Sequence, residues 1–330
     1  MNWLEHHWYH ITPLHLILFP ISLIFRSLVS VRRALYRSGI LSSQKLPIPV
    51  IVVGNISVGG TGKTPLTLAL AQQLIERGWH PLIVSRGYGG AAQQPQHVTE
   101  KSDAQQVGDE PLLMARRKQC PVWIGRDRAA TAQLAMRTHP QCDVVLCDDG
   151  LQHYRLQRDI EVAVVDAQRG VGNGWLLPAG ALREPVSRLK TVDAVVVNGE
   201  PVSAGQYLMR LNGTVFYNLL NPAQTASPAD FQSTQNHAVA GIGNPQRYFD
   251  HLKTLGVNFI SHAFPDHHAY LASELSFANC DAILLTEKDA VKCAAFADKK
   301  FWVLRVDAQI DPALIDLITR KLSPYGRKTA

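Results

Sequence analysis

The chain has 330 residues, 46% hydrophobic and 18% charged, which excludes a disordered polymer and leaves room for two folded units. A net charge of +6 suits an anionic partner, but no Lys/Arg run alternates with aromatics, so nucleic acid is not expected. Five cysteines, an odd number without a CxxC pair or zinc spacing, read as free thiols in a reducing compartment.

The N-terminus comes first. Residues 6–25 carry no formal charge with neutral histidines, and the apolar heart lies at 14–25. Trp3, Trp8 and Tyr9 precede it, while Arg26, Arg32, Arg33 and Arg37 follow, a flanking pattern suited to a bilayer interface. The stretch barely reaches the roughly 20 apolar residues of a span, and His15 and Pro20 interrupt it. An interfacial helix therefore fits better than a full span or a buried core helix. A cleaved signal peptide is disfavoured, because nothing basic precedes the apolar run. The arginines put the soluble part on the cytoplasmic side, in agreement with the cysteines.

Pro49-Val50-Ile51-Val52-Val53 reads as a buried parallel strand. A glycine-rich turn follows: Ser57, Val58, Gly59, Gly60, Thr61, Gly62, Lys63 and Thr64, with Pro65 opening a helix whose apolar face is Leu66, Leu70 and Leu74. Strand, glycine loop, Gly-Lys-Thr and helix form a phosphate-binding loop. Its backbone N–H groups and helix N-terminus suit ATP phosphates, Lys63 the β- and γ-phosphates, and Thr64 a Mg²⁺ ion. The strict pattern has glycine where Ser57 stands, so the start of the loop departs from it.

Further along, Asp109 reads most simply as the cap of a helix that continues through Leu112 and Leu113. Arg126-Asp127-Arg128 opens another helix, and either arginine, or Arg183 in Leu182-Arg183-Glu184-Pro185, could face a transferring phosphoryl group. Residues 144–147 read as a strand ending in Asp148 and Asp149, adjacent acids whose repulsion a cation would offset. His153 could contact phosphate or substrate, or simply pack.

Strands alternate with helices through residue 197, giving an α/β class with a mostly parallel sheet and flanking helices, as in P-loop NTPases. The expected division is a membrane-associated helical segment at 1–45, a P-loop kinase domain at 46–204, a linker at 205–235, and a smaller α/β domain at 236–330.

Seven motifs stand in order: SVGGTGKTP from Ser57, SRGYG around Tyr88, GDEP around Asp109, DDGLQH from Asp148, LREP around Arg183, FPDHH around His267 and TEKD from Thr286. Together they resemble the tetraacyldisaccharide 4′-kinase family, the lipid A 4′-kinases, along essentially the whole chain. Ser57 fits that family's own loop. The resemblance implies a MgATP-dependent enzyme at the cytoplasmic face of the inner membrane. It would phosphorylate the 4′-hydroxyl of a tetraacylated glucosamine disaccharide 1-phosphate, forming lipid IVA. It implies that Asp109 and His267 draw the proton from the attacking hydroxyl, and that Lys63 and Arg183 bind phosphate. Asp148 and Asp149 would lie on the Mg²⁺ side, Tyr88 near the lipid substrate, and Arg126 or Arg128 would be the matching cation. For His267 to act, the smaller domain must close over the P-loop. The alternatives are a membrane-associated P-loop GTPase, for which TEKD loosely resembles a guanine-reading motif, and a kinase of another lipid. No feature names a protein partner.

Overall fold

The computed structural model describes residues 7–10 and 12–326; Trp3 lies outside the described residues. Helix α1 (His15–Arg37) comes first, followed by strand β1 (Val50–Gly54) and helix α2 (Lys63–Glu76). Next come β2 (Pro81–Ser85), β3 (Gln96–Val98), α3 (Ala104–Val107), α4 (Asp109–Arg116), β4 (Val122–Ile124), α5 (Arg128–Thr138) and β5 (Val144–Asp148). After β6 (Ile160–Asp166) and β7 (Ala194–Asn198) the chain enters β8 (Tyr207–Asn218) and the short β9 (Thr225–Ala226). The last elements are β10 (Asn236–Ala240), α6 (Pro245–Thr254), β11 (Ile260–Ala263), β12 (Ala282–Thr286), α7 (Glu287–Cys293), β13 (Phe301–Ile310) and α8 (Pro312–Leu322).

All strands belong to one sheet, ordered β11-β10-β12-β13-β8-β7-β6-β1-β5-β2-β4-β3, with β9 on β8. Among the described residues only the β3–β4, β8–β13 and β8–β9 pairs are antiparallel. The β-branched run of β1 is buried at every residue because helices cover both faces of a parallel sheet. Leu66, Leu70 and Leu74 of α2 are fully buried, each contributing roughly 1.5–3 kcal/mol of transfer free energy.

The stretch expected as a linker, 205–235, contains the twelve-residue β8. It pairs with β7 on one side and β13 on the other, so the sheet runs unbroken through both halves. Its burial alternates irregularly, which in sequence looks like a polar break. A register shift between Arg305 and Asp307 bends the β8–β13 pair. Opposite it, a Cβ on Gly213 would stand 2.5 Å from the Arg305 carbonyl.

Helix α1 is 23 residues long, and by length and composition it could cross a membrane. Its exposure is inverted relative to a soluble amphipathic helix. His15 and Ser22 are each 4% exposed, while Leu16, Ile17 and Leu28 are 82%, 68% and 64% exposed. The polar pair is satisfied by the protein: Ser22 Oγ donates to the Leu176 carbonyl at 2.7 Å, and His15 Nε2 lies 3.0 Å from the Ala179 carbonyl. Trp175 packs its ring against His15 and Phe19.

Candidate active site

β1 lies between β5 and β6, so the crevice at its C-terminal end is where a doubly wound sheet receives a ligand. There the glycine loop turns into α2. Gly59 (φ 94°) and Gly62 (φ 97°) adopt left-handed backbone that side chains resist. Ser57 does not: it forms an antiparallel bridge to Leu182, while Val58 N–H donates to the Ala181 carbonyl at 2.8 Å. An extended, strand-paired start requires no glycine, which accounts for the departure from the strict pattern. Thr61 is fixed from both sides, its Oγ1 accepting from Asn55 and its carbonyl from Asn198.

Lys63 Nζ lies 3.7 Å from Asp149 Oδ1, and Arg183 Nη1 lies 3.3 Å from Asp149 Oδ2. Burial pushes the Asp149 carboxyl up, but Lys63, Arg183 and Arg128 outweigh it and leave the group below the usual carboxylate range. Asp148 behaves oppositely. It is buried, accepts from Thr67 Oγ1 at 3.0 Å, and is pushed up to about 7 by burial and by the charges of Glu110 and Asp149.

Among the described residues no group of three or more His, Cys, Asp or Glu could hold a metal by itself. Mg²⁺ does not need one, since it takes one or two carboxylates and fills the remainder with phosphate oxygens and water. Asp148, whose charge its acidic neighbours resist, together with Asp149 and Thr64 at the start of α2, fits such an ion.

The opposite wall comes from the other half of the sheet. His267, on the loop after β11, has Nδ1 3.0 Å from Asp109 Oδ2. Burial raises the Asp109 pKa, yet the His267 hydrogen bond and the Lys288 charge leave it lowered overall. The same hydrogen bond raises His267 against the effects of burial and Lys288. Asp109 is not the helix cap expected from sequence: Gly108 (φ 88°) holds that position, and Asp109 is the first helical residue. The reason is space, because a Cβ on residue 108 would come within 2.5 Å of the Tyr88 carbonyl. Tyr88 is 65% exposed, with its ring 5.4 Å from that of His267.

The remaining expected residues divide. Arg128 is buried and donates to the Asp149 carbonyl at 2.9 Å, so it orients the acid loop from behind. Arg126 is exposed and has no ion pair among the described residues. Burial, with Arg128 next, pushes His153 down to about 4, a neutral ring apart from the Asp109–His267 pair.

Two residues were missed in sequence. Lys288, in TEKD, lies 3.1 Å from Glu110, 3.0 Å from Asp266 and 3.4 Å from His267 Nε2. Arg169 donates to the Gly243 carbonyl, and its Nη1 lies 2.8 Å from where a Cβ on Gly59 would stand. A basic residue inside an ordered motif was the available signal for Lys288. For Arg169 there was none. TEKD is also no guanine reader: Asp289 is fully buried and is used by Thr286, Tyr270, Lys292 and the Gly241 N–H.

A phosphate-binding loop facing an Asp–His pair across a cleft defines a P-loop kinase. A model of the tetraacyldisaccharide-1-P 4′-kinase family matches residues 14–323. Among curated relatives, the tetraacyldisaccharide 4′-kinase of Methylobacillus flagellatus is 49% identical over 99% of this chain and 98% of its own. That of Azoarcus sp. is 48% identical over 98% and 96%. The solved structure of LpxK from Aquifex aeolicus in complex with ATP superposes with a TM-score of 0.77 at 28% identity, covering 92% of this chain and 98% of that one. The chain belongs to the tetraacyldisaccharide-1-P 4′-kinase family.

Proposed function

We propose that this protein transfers the γ-phosphate of ATP to the 4′-hydroxyl of a tetraacylated glucosamine disaccharide 1-phosphate, the step that forms lipid IVA in lipid A biosynthesis. One observation carries the reading furthest: Asp109 and His267, 158 residues apart, pair at 3.0 Å opposite the phosphate loop of a chain of this family.

In this reading Asp109 and His267 take the proton from the sugar hydroxyl as it attacks, the carboxylate stabilising charge on the imidazole. The backbone N–H groups of residues 57–64 and the start of α2 cradle the phosphates. Lys63 and Arg183, both directed at Asp149, supply cationic charge to the transferring group. Thr64, Asp148 and Asp149 hold a Mg²⁺ ion, which when bound adds positive charge against the phosphates. Tyr88, exposed beside His267, contacts the incoming sugar.

The inverted helix α1 supports a membrane location. Its exposed leucines and isoleucines suit lipid, and its arginines suit the anionic headgroups of the cytoplasmic face of the inner membrane.

The test is transfer of labelled phosphate from ATP to tetraacyldisaccharide 1-phosphate in detergent micelles, with Lys63→Ala and Asp109→Ala beside the wild type. A bisphosphorylated product, nearly lost in both variants, is expected. A folded wild-type protein that binds ATP and yields no product overturns the substrate assignment.

A further inference from the structure

Lys288 follows the cap of α7, on the half of the sheet that carries His267, and reaches across to residues of α4. Its ammonium lies 3.1 Å from Glu110 Oε1, 3.0 Å from Asp266 Oδ1, 3.9 Å from Asp109 Oδ2 and 3.4 Å from His267 Nε2. An ammonium only donates, so Nε2 facing it is an acceptor, and the ring proton belongs on Nδ1, directed at the Asp109 carboxylate. Asp266 Oδ2 lies 3.8 Å from Nε2, but the Asp266 carboxylate already pairs with Lys288 and accepts the His267 N–H through Oδ1. The other neighbour of the ring is Tyr88, its ring centroid 5.4 Å away.

We propose that Lys288 is a positioning residue for phosphoryl transfer: it holds His267 as the tautomer protonated at Nδ1, against Asp109, and resists a second proton at Nε2. This rests on the reading of Asp109 and His267 as the group that takes the hydroxyl proton. A histidine bonded to a carboxylate tends to become imidazolium, and its Asp109 bond does raise its affinity for a proton. An imidazolium could accept nothing from the substrate. The Lys288 charge opposes that tendency, while its contacts with Glu110 and Asp266 join the two walls of the cleft. Three carboxylates around it keep Lys288 protonated well beyond neutral pH, so the device does not switch off in the working range.

The test uses the full chain in detergent micelles, as wild type, Lys288→Met and Lys288→Arg. The pH dependence of kcat/KM reports the free enzyme's essential base. In Lys288→Met its acid limb moves to higher pH by about one unit or more. Lys288→Arg, which keeps the charge, restores the limb toward wild type. A purely structural role would lower activity at every pH without moving the limb, and that result overturns the proposal. Histidine-selective ¹⁵N NMR of the wild type, with the His267 signals assigned by their loss in His267→Gln, needs no variant at position 288 and no substrate. In the neutral ring, reached as pH rises above its titration, a proton on Nδ1 with Nε2 bare is expected; a neutral ring protonated on Nε2 overturns the inference even if Lys288→Met does not fold. Absence of product from the wild type would instead sink the kinase reading, leaving the tautomer result to stand or fall separately.

Discussion

Replacing Arg188 with Met tests how the loop that carries Arg183 is held. Arg188 is 2% exposed, and its guanidinium lies between two carboxylates: Glu184, itself 1% exposed, at 3.0 Å and Glu161 at 2.5 Å. The Arg188 Nε and Glu184 Oε2 atoms attract as charges without hydrogen-bond alignment, and Nη1 donates to Thr191. With Met at 188, Glu161 keeps Arg158 at 3.0 Å, but Glu184 keeps only the Tyr154 hydroxyl. Leaving one partner of a buried pair uncompensated costs about 3–5 kcal/mol. For 330 residues, an unfolding entropy of about 2.1 cal/mol/K per residue gives roughly 0.7 kcal/mol/K, so the melting temperature falls by about 4–7 °C. Circular-dichroism melts in detergent at pH 7 measure this. Glu184→Gln added to Arg188→Met should recover most of the loss, because no buried charge then remains unpaired. A single variant melting within about 1 °C of wild type, or a double variant no more stable than the single, refutes the argument.

Gly62→Ala forces left-handed backbone on a residue with a Cβ, about 1–2 kcal/mol, and drives that atom to 2.8 Å from Asn198 and Met209. ATP affinity measured by calorimetry should drop at least about tenfold; unchanged affinity would mean that the loop tolerates the shift. The pairing of Asp109 with His267 gives a stability window. The lowered Asp109 contributes above its ordinary pKa near 3.8 and loses that contribution as pH falls through its folded value; the raised His267 contributes fully below 6.5 and loses it as pH rises through its folded value. The stability gap between wild type and His267→Gln should therefore be widest from about pH 4 to 6.5 and narrow as pH rises further, read from paired melts. A gap that widens with pH contradicts the assigned directions.

The sequence was most informative where one local rule sufficed. Runs of Val, Ile and Leu announced β1, β5 and β12, and the Gly-Lys-Thr turn announced the phosphate site. It was least informative where tertiary neighbours decide. Asp109 looks like a cap until Tyr88 is seen to leave room only for glycine at 108. Lys288 stands between two acids and reads as a solvated lysine, since the residues it joins are 22 and 178 positions away. β8 hides because it is shared by two halves and is buried on neither face throughout.

The inversion of α1 has a geometric consequence. The segment its polar face grips, 175–179, continues through Gly180 into Ala181 and Leu182, which pair with the start of the phosphate loop, and then into Arg183 on Asp149. Helix and phosphate site are thus moored to the two ends of one short strut. In the proposed membrane location, the strut sets the altitude of the cleft above the lipid layer. A sugar hydroxyl standing at headgroup level is met at a height fixed by protein geometry, whatever the length of the acyl chains beneath.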